Sequence, residues 1–134
     1  MDQELARDFV ADARVAILAT VTPEGHPHLV PCCFVLDGDI INSAVDAKPK
    51  TTLALRRLEN LRSNPACSLL VHHYDEDWTE LWWVRVDGMG RVVQNGQERD
   101  EALELLAGKY EQYRTVPIPG DVVAVEVERW RWWP

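Results

Sequence analysis

The chain has 134 residues, 46% of them hydrophobic, and a formal net charge of −8, which is enough for one domain, residues 1–134, with a buried core. That acidity argues against nucleic acid as the main partner, because phosphate backbones are bound by basic faces. No apolar run approaches the roughly 20 residues of a membrane helix. The acidic start, Met1 to Asp8, also differs from the basic-then-apolar pattern of a secretory signal, so the expected setting is the cytoplasm with no membrane partner.

Asp2 to Ala13 reads as a helix, with Leu5, Phe9, Val10 and Ala13 on one face and Asp2 placed to cap it. Arg14 to Val21 is β-rich, and Thr22-Pro23-Glu24-Gly25 carries the turn residues that close a hairpin onto a strand from Pro27 to Leu36. A turn at Asp37-Gly38-Asp39 leads into Ile40 to Ala44, completing three antiparallel strands on short connections. Thr51 or Thr52 can cap a helix running to about Arg62, with Ala54, Leu55, Leu58 and Leu61 as its buried stripe. Ala66 to Tyr74 is a long strand, and an acidic loop, Asp75 to Trp78, follows it. Leu81 to Val93 is another strand, in which Gly88 and Gly90 mark a bulge or a close backbone approach. Glu98 to Tyr113 reads as a helix with Ala102, Leu105, Leu106 and Tyr110 inward, and Asp121 to Val127 as a final alternating strand. Strands that outnumber helices and pair through hairpins predict a mainly β (α+β) antiparallel barrel with peripheral helices. Neither a dinucleotide-binding glycine motif nor a P-loop is present.

Cys32, Cys33 and Cys67 make an odd count, and the adjacent pair points to opposite faces of its strand, so they read as small apolar filler with no assigned chemistry. His26-x-His28 could present two rings on one face, but no carboxylate or cysteine joins them in a ligand pattern, and no metal is assigned. The informative stretch runs from Lys48 to Arg62, where five cations (Lys48, Lys50, Arg56, Arg57, Arg62) face one acid, Glu59. Pro49 holds Lys48 and Lys50 extended, so that both ammonium groups can point the same way. They meet a helix start, where unpaired N–H groups, the positive end of the dipole and the Thr51 and Thr52 hydroxyls converge. A solvated loop is the ordinary alternative; basic clustering in so acidic a chain favours a phosphate cradle. Arg56 and Arg57, nearest the lysines, are the arginines expected to reach a ligand.

Six tryptophans stand at 78, 82, 83, 130, 132 and 133. Ordinary core packing and a dimer contact are equally open to Trp82, and a ring stacking on a flat cofactor is a lesser alternative for Trp78 or Trp83. Alternation sets Trp130 and Trp132 against Trp133, so an isolated monomer cannot bury all three on one sheet face, and a dimer contact is the economical answer.

The run Ala19 to Pro31, then Asp37-Gly38-Asp39-Ile40-Ile41, then Leu58-x-Asn60-Leu61-x-x-Asn64-Pro65 closely resemble the pyridoxamine 5′-phosphate oxidase-like superfamily. Tyr74 to Trp78, Trp82 to Gly88 and Lys109-Tyr110-x-x-Tyr113 resemble an actinobacterial-type subgroup of coenzyme F420-dependent oxidoreductases. The resemblance covers about Phe9 to Trp133, and it is the order and spacing of the motifs, more than any single one, that carries it. It implies a six-stranded split β-barrel of the FMN-binding type, a homodimer with two cofactor sites at the subunit interface, and a small-molecule substrate. It also implies that Lys48, Lys50 and Thr51 hold the phosphate side of the cofactor, while the ring lies against the backbone of Thr20, Val21, Pro31 and Cys32. The chain is shorter than pyridoxamine-phosphate oxidases proper and lacks the arginine and lysine expected on the strand occupied by Cys32 to Leu36. That favours F420, whose phosphate and glutamyl tail would meet Arg56 and Arg57, over FMN. The expectation is hydride transfer between the deazaflavin and an unidentified organic acceptor. The alternatives are an FMN-dependent oxidoreductase, a non-catalytic flavin- or F420-binding protein or regulator, and, more remotely, a haem-binding variant. His72, Tyr74 and Tyr113 could donate a proton; none is singled out.

Overall fold

In a computed structural model, which describes residues 1–45, 52–116, 118 and 120–134, the described residues form one seven-stranded antiparallel sheet with four α-helices. The elements in order are α1 (Gln3–Asp12), β1 (Ala16–Val21), β2 (Pro27–Cys32), β3 (Val35–Asp37), β4 (Ile40–Ala44), α2 (Thr52–Ser63), β5 (Ala66–His73), a 3-10 turn (Trp78–Glu80), β6 (Trp82–Val93), α3 (Gln97–Lys109), α4 (Gln112–Thr115) and β7 (Val122–Trp133). The strand order is β2-β1-β5-β6-β7-β4-β3.

The sheet must curl. Laid flat, seven strands would separate the edges β2 and β3 by about 29 Å at ~4.8 Å per strand. Only Cys33 and Phe34 join the end of β2 to the start of β3, and three Cα steps reach at most about 11 Å. The two edges are therefore brought together at this corner, where one bent strand leaves β1 and takes up β4. Counted as a single strand, β2 and β3 make the barrel six-stranded, in agreement with the predicted mainly β split barrel.

Partner exchange at the corner strands backbone groups that side chains then satisfy. Tyr110 Oη accepts from the Phe34 N–H at 3.0 Å and lies 3.0 Å from the Phe34 carbonyl and 2.9 Å from that of Arg14. Ser43 Oγ donates to the Cys33 carbonyl at 2.7 Å. Phe34 itself is fully buried.

The interior is lined by the inward set of each strand, including Leu18, Leu69, Val84, Val86, Val123 and Val125, and α1 and α2 close it with Ala6, Val10, Leu58 and Leu61. Each large aliphatic chain contributes about 1.5–3 kcal/mol by leaving water. Asp2 caps α1 as its sequence position predicts, accepting from the Leu5 N–H at 2.8 Å, but the buried face is set by Ala6 and Val10 and leaves Leu5 exposed. Asn60 on α2 donates through Nδ2 to Thr20 Oγ1 at 3.0 Å, a buried bond that ties this helix to β1. On the other side, α3 covers β4 and β7 with Ala102 and Leu106, which pack among Ala44, Val122 and Ala124.

The register shifts between Asp87 and Gly88. A Cβ at Gly88 would stand 2.1 Å from the Glu126 carbonyl oxygen, and one at Gly90 would stand 2.8 Å from a Leu61 methyl; both glycines answer close approach. Strand β7 continues to Trp133, well beyond the Val127 expected from sequence. Trp130 is buried, Trp132 is half-buried and donates its indole N–H to the Met1 carbonyl at 3.0 Å, and Trp133 faces out, 46% exposed. The tail thus buries two rings in the monomer and leaves one.

Candidate anion-binding corner and outer face

A small cleft of about 160 Å³ opens at the barrel corner, lined by Val15, Pro31, Cys32, Cys33, Ala44, Arg57 and Tyr113. Arg57 enters it from α2, and its Nε is buried without a hydrogen-bond partner among the described residues. A buried guanidinium donor left unmet costs about 1–3 kcal/mol or more, so an anion in this cleft would relieve a penalty already present.

Two further cations flank the corner. Lys109, at the end of α3, holds its Nζ 4.0 Å from the Phe34 ring centre, buried and without a hydrogen-bond partner among the described residues. Burial, aided by the nearby Arg14 charge, pushes its ammonium down to about 8. The Arg14 guanidinium lies 4.6 Å over the Tyr110 ring and donates to the Lys109 carbonyl at 3.0 Å. Among the described residues no carboxylate makes an ion pair with Arg14, Arg57 or Lys109. Burial raises the Cys32 thiol above its usual range, with the Ser43 hydrogen bond and the Arg57 charge acting against it. Burial pushes Cys67 up to about 12. Both therefore stay protonated near neutrality, as filler would.

Pro31, Cys32 and Arg57 are brought together at the corner, whereas Arg56, the next residue along α2, is exposed and lines no part of this cleft. Lys48, Lys50 and Thr51 lie outside the described residues. The described chain leaves at Val45, next to the cleft wall at Ala44, and resumes at Thr52 on the helix that carries Arg57. Thr20 and Val21 stand apart, because the pairing of Ile17 with Pro31, of Thr20 with His28 and of Val21 with Pro27 puts them about 10 and about 13 Å along the hairpin from Pro31. They line a second cleft of about 500 Å³ with Pro27, Ser68, Asp87 and Arg129. The Thr20 hydroxyl is committed to Asn60, which leaves its backbone for any ring. Burial works against the Asp87 charge there, but hydrogen bonds from Ser68 and Arg85 and the charges of Arg85 and Arg129 hold its carboxyl below the usual range. Trp78 sits on the 3-10 turn, 70% exposed, its indole N–H 3.4 Å from Tyr74 Oη, and lines neither cleft. Sequence reasoning missed Arg14 and Lys109 as corner cations, since nothing local signals that the end of α3 lands beside the start of β1.

A third cleft, of about 390 Å³, is lined by His72, His73, Tyr74, Leu81, Trp82, Trp83 and Trp133. The outward face of β1 and β2 is open to solvent, with Leu29 64% exposed, and Val15, just before β1, is 53% exposed. Among the described residues no group of three His, Cys, Asp or Glu side chains is placed to hold a metal ion. No helix among them is long and apolar enough to cross a membrane.

The fold recurs widely. A conserved hypothetical protein, Rv2991, from Mycobacterium tuberculosis superposes with a TM-score of 0.81 at 22% identity over 99% of this chain and 84% of its own. The heme storage protein HutZ from Vibrio cholerae gives 0.73 at 14% identity over 98% and 92%, and an FAD-binding protein from Mesorhizobium loti 0.67 at 17% over 98% and 94%. Curated proteins give no match. At these identities the likenesses establish the fold alone. The pyridoxamine 5′-phosphate oxidase family model matches residues 2–134, and the chain, split barrel and corner included, belongs to that family.

Proposed function

We propose that this chain is an F420-dependent oxidoreductase that works as a homodimer, holding the acidic end of the deazaflavin cofactor at the barrel corner. The observation that carries the reading is Arg57, whose guanidinium nitrogen Nε is buried without a partner among the described residues, in a cleft with no carboxylate among its described lining. A volume of about 160 Å³ suits a phosphate or carboxylate and is too small for a tricyclic ring. The ring would lie outside it, along the outward residues of β1 and β2. Lys48, Lys50 and Thr51 would complete the cradle from the segment leading into α2, with Arg56 meeting the glutamyl tail. Five cations against one acid between residues 48 and 62 fit the more highly charged cofactor, and the same cleft would take the single phosphate of FMN. A reduced deazaflavin supplies a hydride from its ring carbon. This chain's residues supply position, through charge at the corner, and a dry apolar floor, through Ile17, Ala19, Leu29 and Pro31. The exposed Leu29 and Val15 suit burial by a second copy, which would enclose that floor.

The test is F420 affinity in Arg57→Gln and Lys50→Ala. Each should lose at least about tenfold, or more than about 1.4 kcal/mol, while keeping the parent melting temperature. Unchanged affinity in both would remove the corner from the account.

A further inference from the structure

Strand register assembles an aromatic row that the cofactor reading leaves unused. His72 pairs with Trp83, and Trp83 with Trp133, so three outward rings stand side by side on β5, β6 and β7 over about 10 Å. Trp82, one residue away, turns to the other side, where it stacks on Phe9 at 4.4 Å. The row forms a wall of the 390 Å³ cleft, a volume ordinary for a small-molecule site.

The next outward row sets charge behind the rings. Pro31, Ile17, Leu70, Arg85 and Arg131 are paired in succession across β2, β1, β5, β6 and β7. The two rows are about 7 Å apart, at two residues per step. Arg85 is taken by Asp87, with hydrogen bonds of 3.0 and 3.2 Å, and Arg129 lies 3.5 Å from the same carboxylate. Arg131 bonds only the Trp130 carbonyl, at 3.2 Å, and has no carboxylate partner among the described residues. Arg131 does not line the cleft itself, but its row begins about 7 Å behind the indoles, and its long side chain leaves a guanidinium available to an anionic substituent on a flat ring system laid over them.

We infer that the row His72–Trp83–Trp133, with Arg131 behind it, is a binding site for a flat aromatic anion. Stacking on indole faces supplies affinity for the ring, and the arginine selects for negative charge. Because β5, which carries His72, pairs with β1 at Leu70 and Ile17, the site adjoins the floor assigned to the cofactor. That its ligand is the hydride acceptor rests on the function proposed above. The site itself does not depend on it.

The experiment is calorimetric titration of the full chain with 2-naphthoate, set beside uncharged 2-naphthalenemethanol and non-aromatic cyclohexanecarboxylate. The site predicts that 2-naphthoate binds on the order of tenfold or more tightly than either control, and that Trp133→Ala and Arg131→Gln each lose a comparable factor. Parent affinity in both variants, at parent melting temperature, would overturn it. So would Trp133→Ala that dissociates a dimer without changing naphthoate affinity, since the row would then be covered by a second copy. Repeating the titration in saturating F420 separates the two sources of a flat anion. Undiminished naphthoate binding supports an acceptor site, whereas competition means that the row seats the cofactor's own ring and overturns the acceptor role. If F420 fails to bind at all while naphthoate still binds, the proposed function fails and the aromatic site stands.

Discussion

The hydroxyl of Tyr110 serves both backbone groups of Phe34, accepting from its N–H at 3.0 Å and lying 3.0 Å from its carbonyl, with the Arg14 carbonyl 2.9 Å away. One side chain from the end of α3 thereby satisfies the residue at which the bent strand changes partner. Tyr110→Phe keeps the ring and removes every one of these bonds, leaving buried backbone groups unmet. The expected cost is about 2 kcal/mol, measured by urea denaturation with an unchanged slope.

Lys109 gives the corner a pH dependence of known sign. Its ammonium is held down to about 8, by burial first and the Arg14 charge second, against about 10.4 in an unfolded chain. A depressed value means that its stabilising contribution is complete above the unfolded pKa and is lost as pH falls through about 8. The difference in unfolding free energy between the parent and Lys109→Met should therefore move in the parent's favour as pH rises from 7.5 to 10. A difference independent of pH over that range would show that the ammonium is not desolvated. The charged and titratable groups facing it from neighbouring elements are Asp12 at the end of α1, Arg14, and the Cys32 and Cys33 thiols.

At Gly88 the outcome is set by backbone. An added Cβ would lie 2.1 Å from the Glu126 oxygen and 2.9 Å from its carbonyl carbon, and neither can move without opening the β6–β7 pairing. Gly88→Ala should cost about 3 kcal/mol, read by chemical denaturation. Gly108→Ala is the control, since its Cβ would meet nothing within 4 Å.

The Asn60–Thr20 bond joins the helix that carries Arg57 to the barrel. Asn60→Ala leaves the Thr20 hydroxyl buried without its donor, and the expected loss is about 2 kcal/mol. A double-mutant cycle with Thr20→Val should return a coupling of about 1 kcal/mol; no coupling would mean that the pair is incidental.

Much of the barrel was legible because its signals are local. Alternation marked the strands, and Thr22-Pro23-Glu24-Gly25 and Asp37-Gly38-Asp39 marked the turns that join them. The break between β2 and β3 was not, because Pro27 to Leu36 is one uninterrupted β-like run. What divides it is a change of partner, a tertiary event. The helix read through to Tyr113 ends at Lys109 for a related reason: Tyr110 leaves helical geometry to reach Phe34, 76 positions away in sequence. The last strand was read too short because Glu128 to Arg131 is rich in charge, whereas in the barrel those charges point outward and Trp130 and Trp132 point in. At the candidate site, the local basic cluster pointed to Lys48, Lys50 and either Arg56 or Arg57, and could not separate the two arginines, which only their faces of α2 distinguish. Arg14 and Lys109 join it only through closure of the sheet, and strand register alone lines up His72, Trp83 and Trp133.

The most direct test of the central claim is a side-by-side titration of the purified protein with F420 and FMN, followed by tryptophan fluorescence at low and moderate salt. The corner account predicts micromolar F420 binding that weakens as salt rises and weaker FMN binding, because F420 brings more negative charge to the cations around Arg57. Tighter binding of FMN would contradict the deazaflavin assignment and move the chain to a flavin enzyme on the same barrel, and binding of neither would leave the corner without its cofactor.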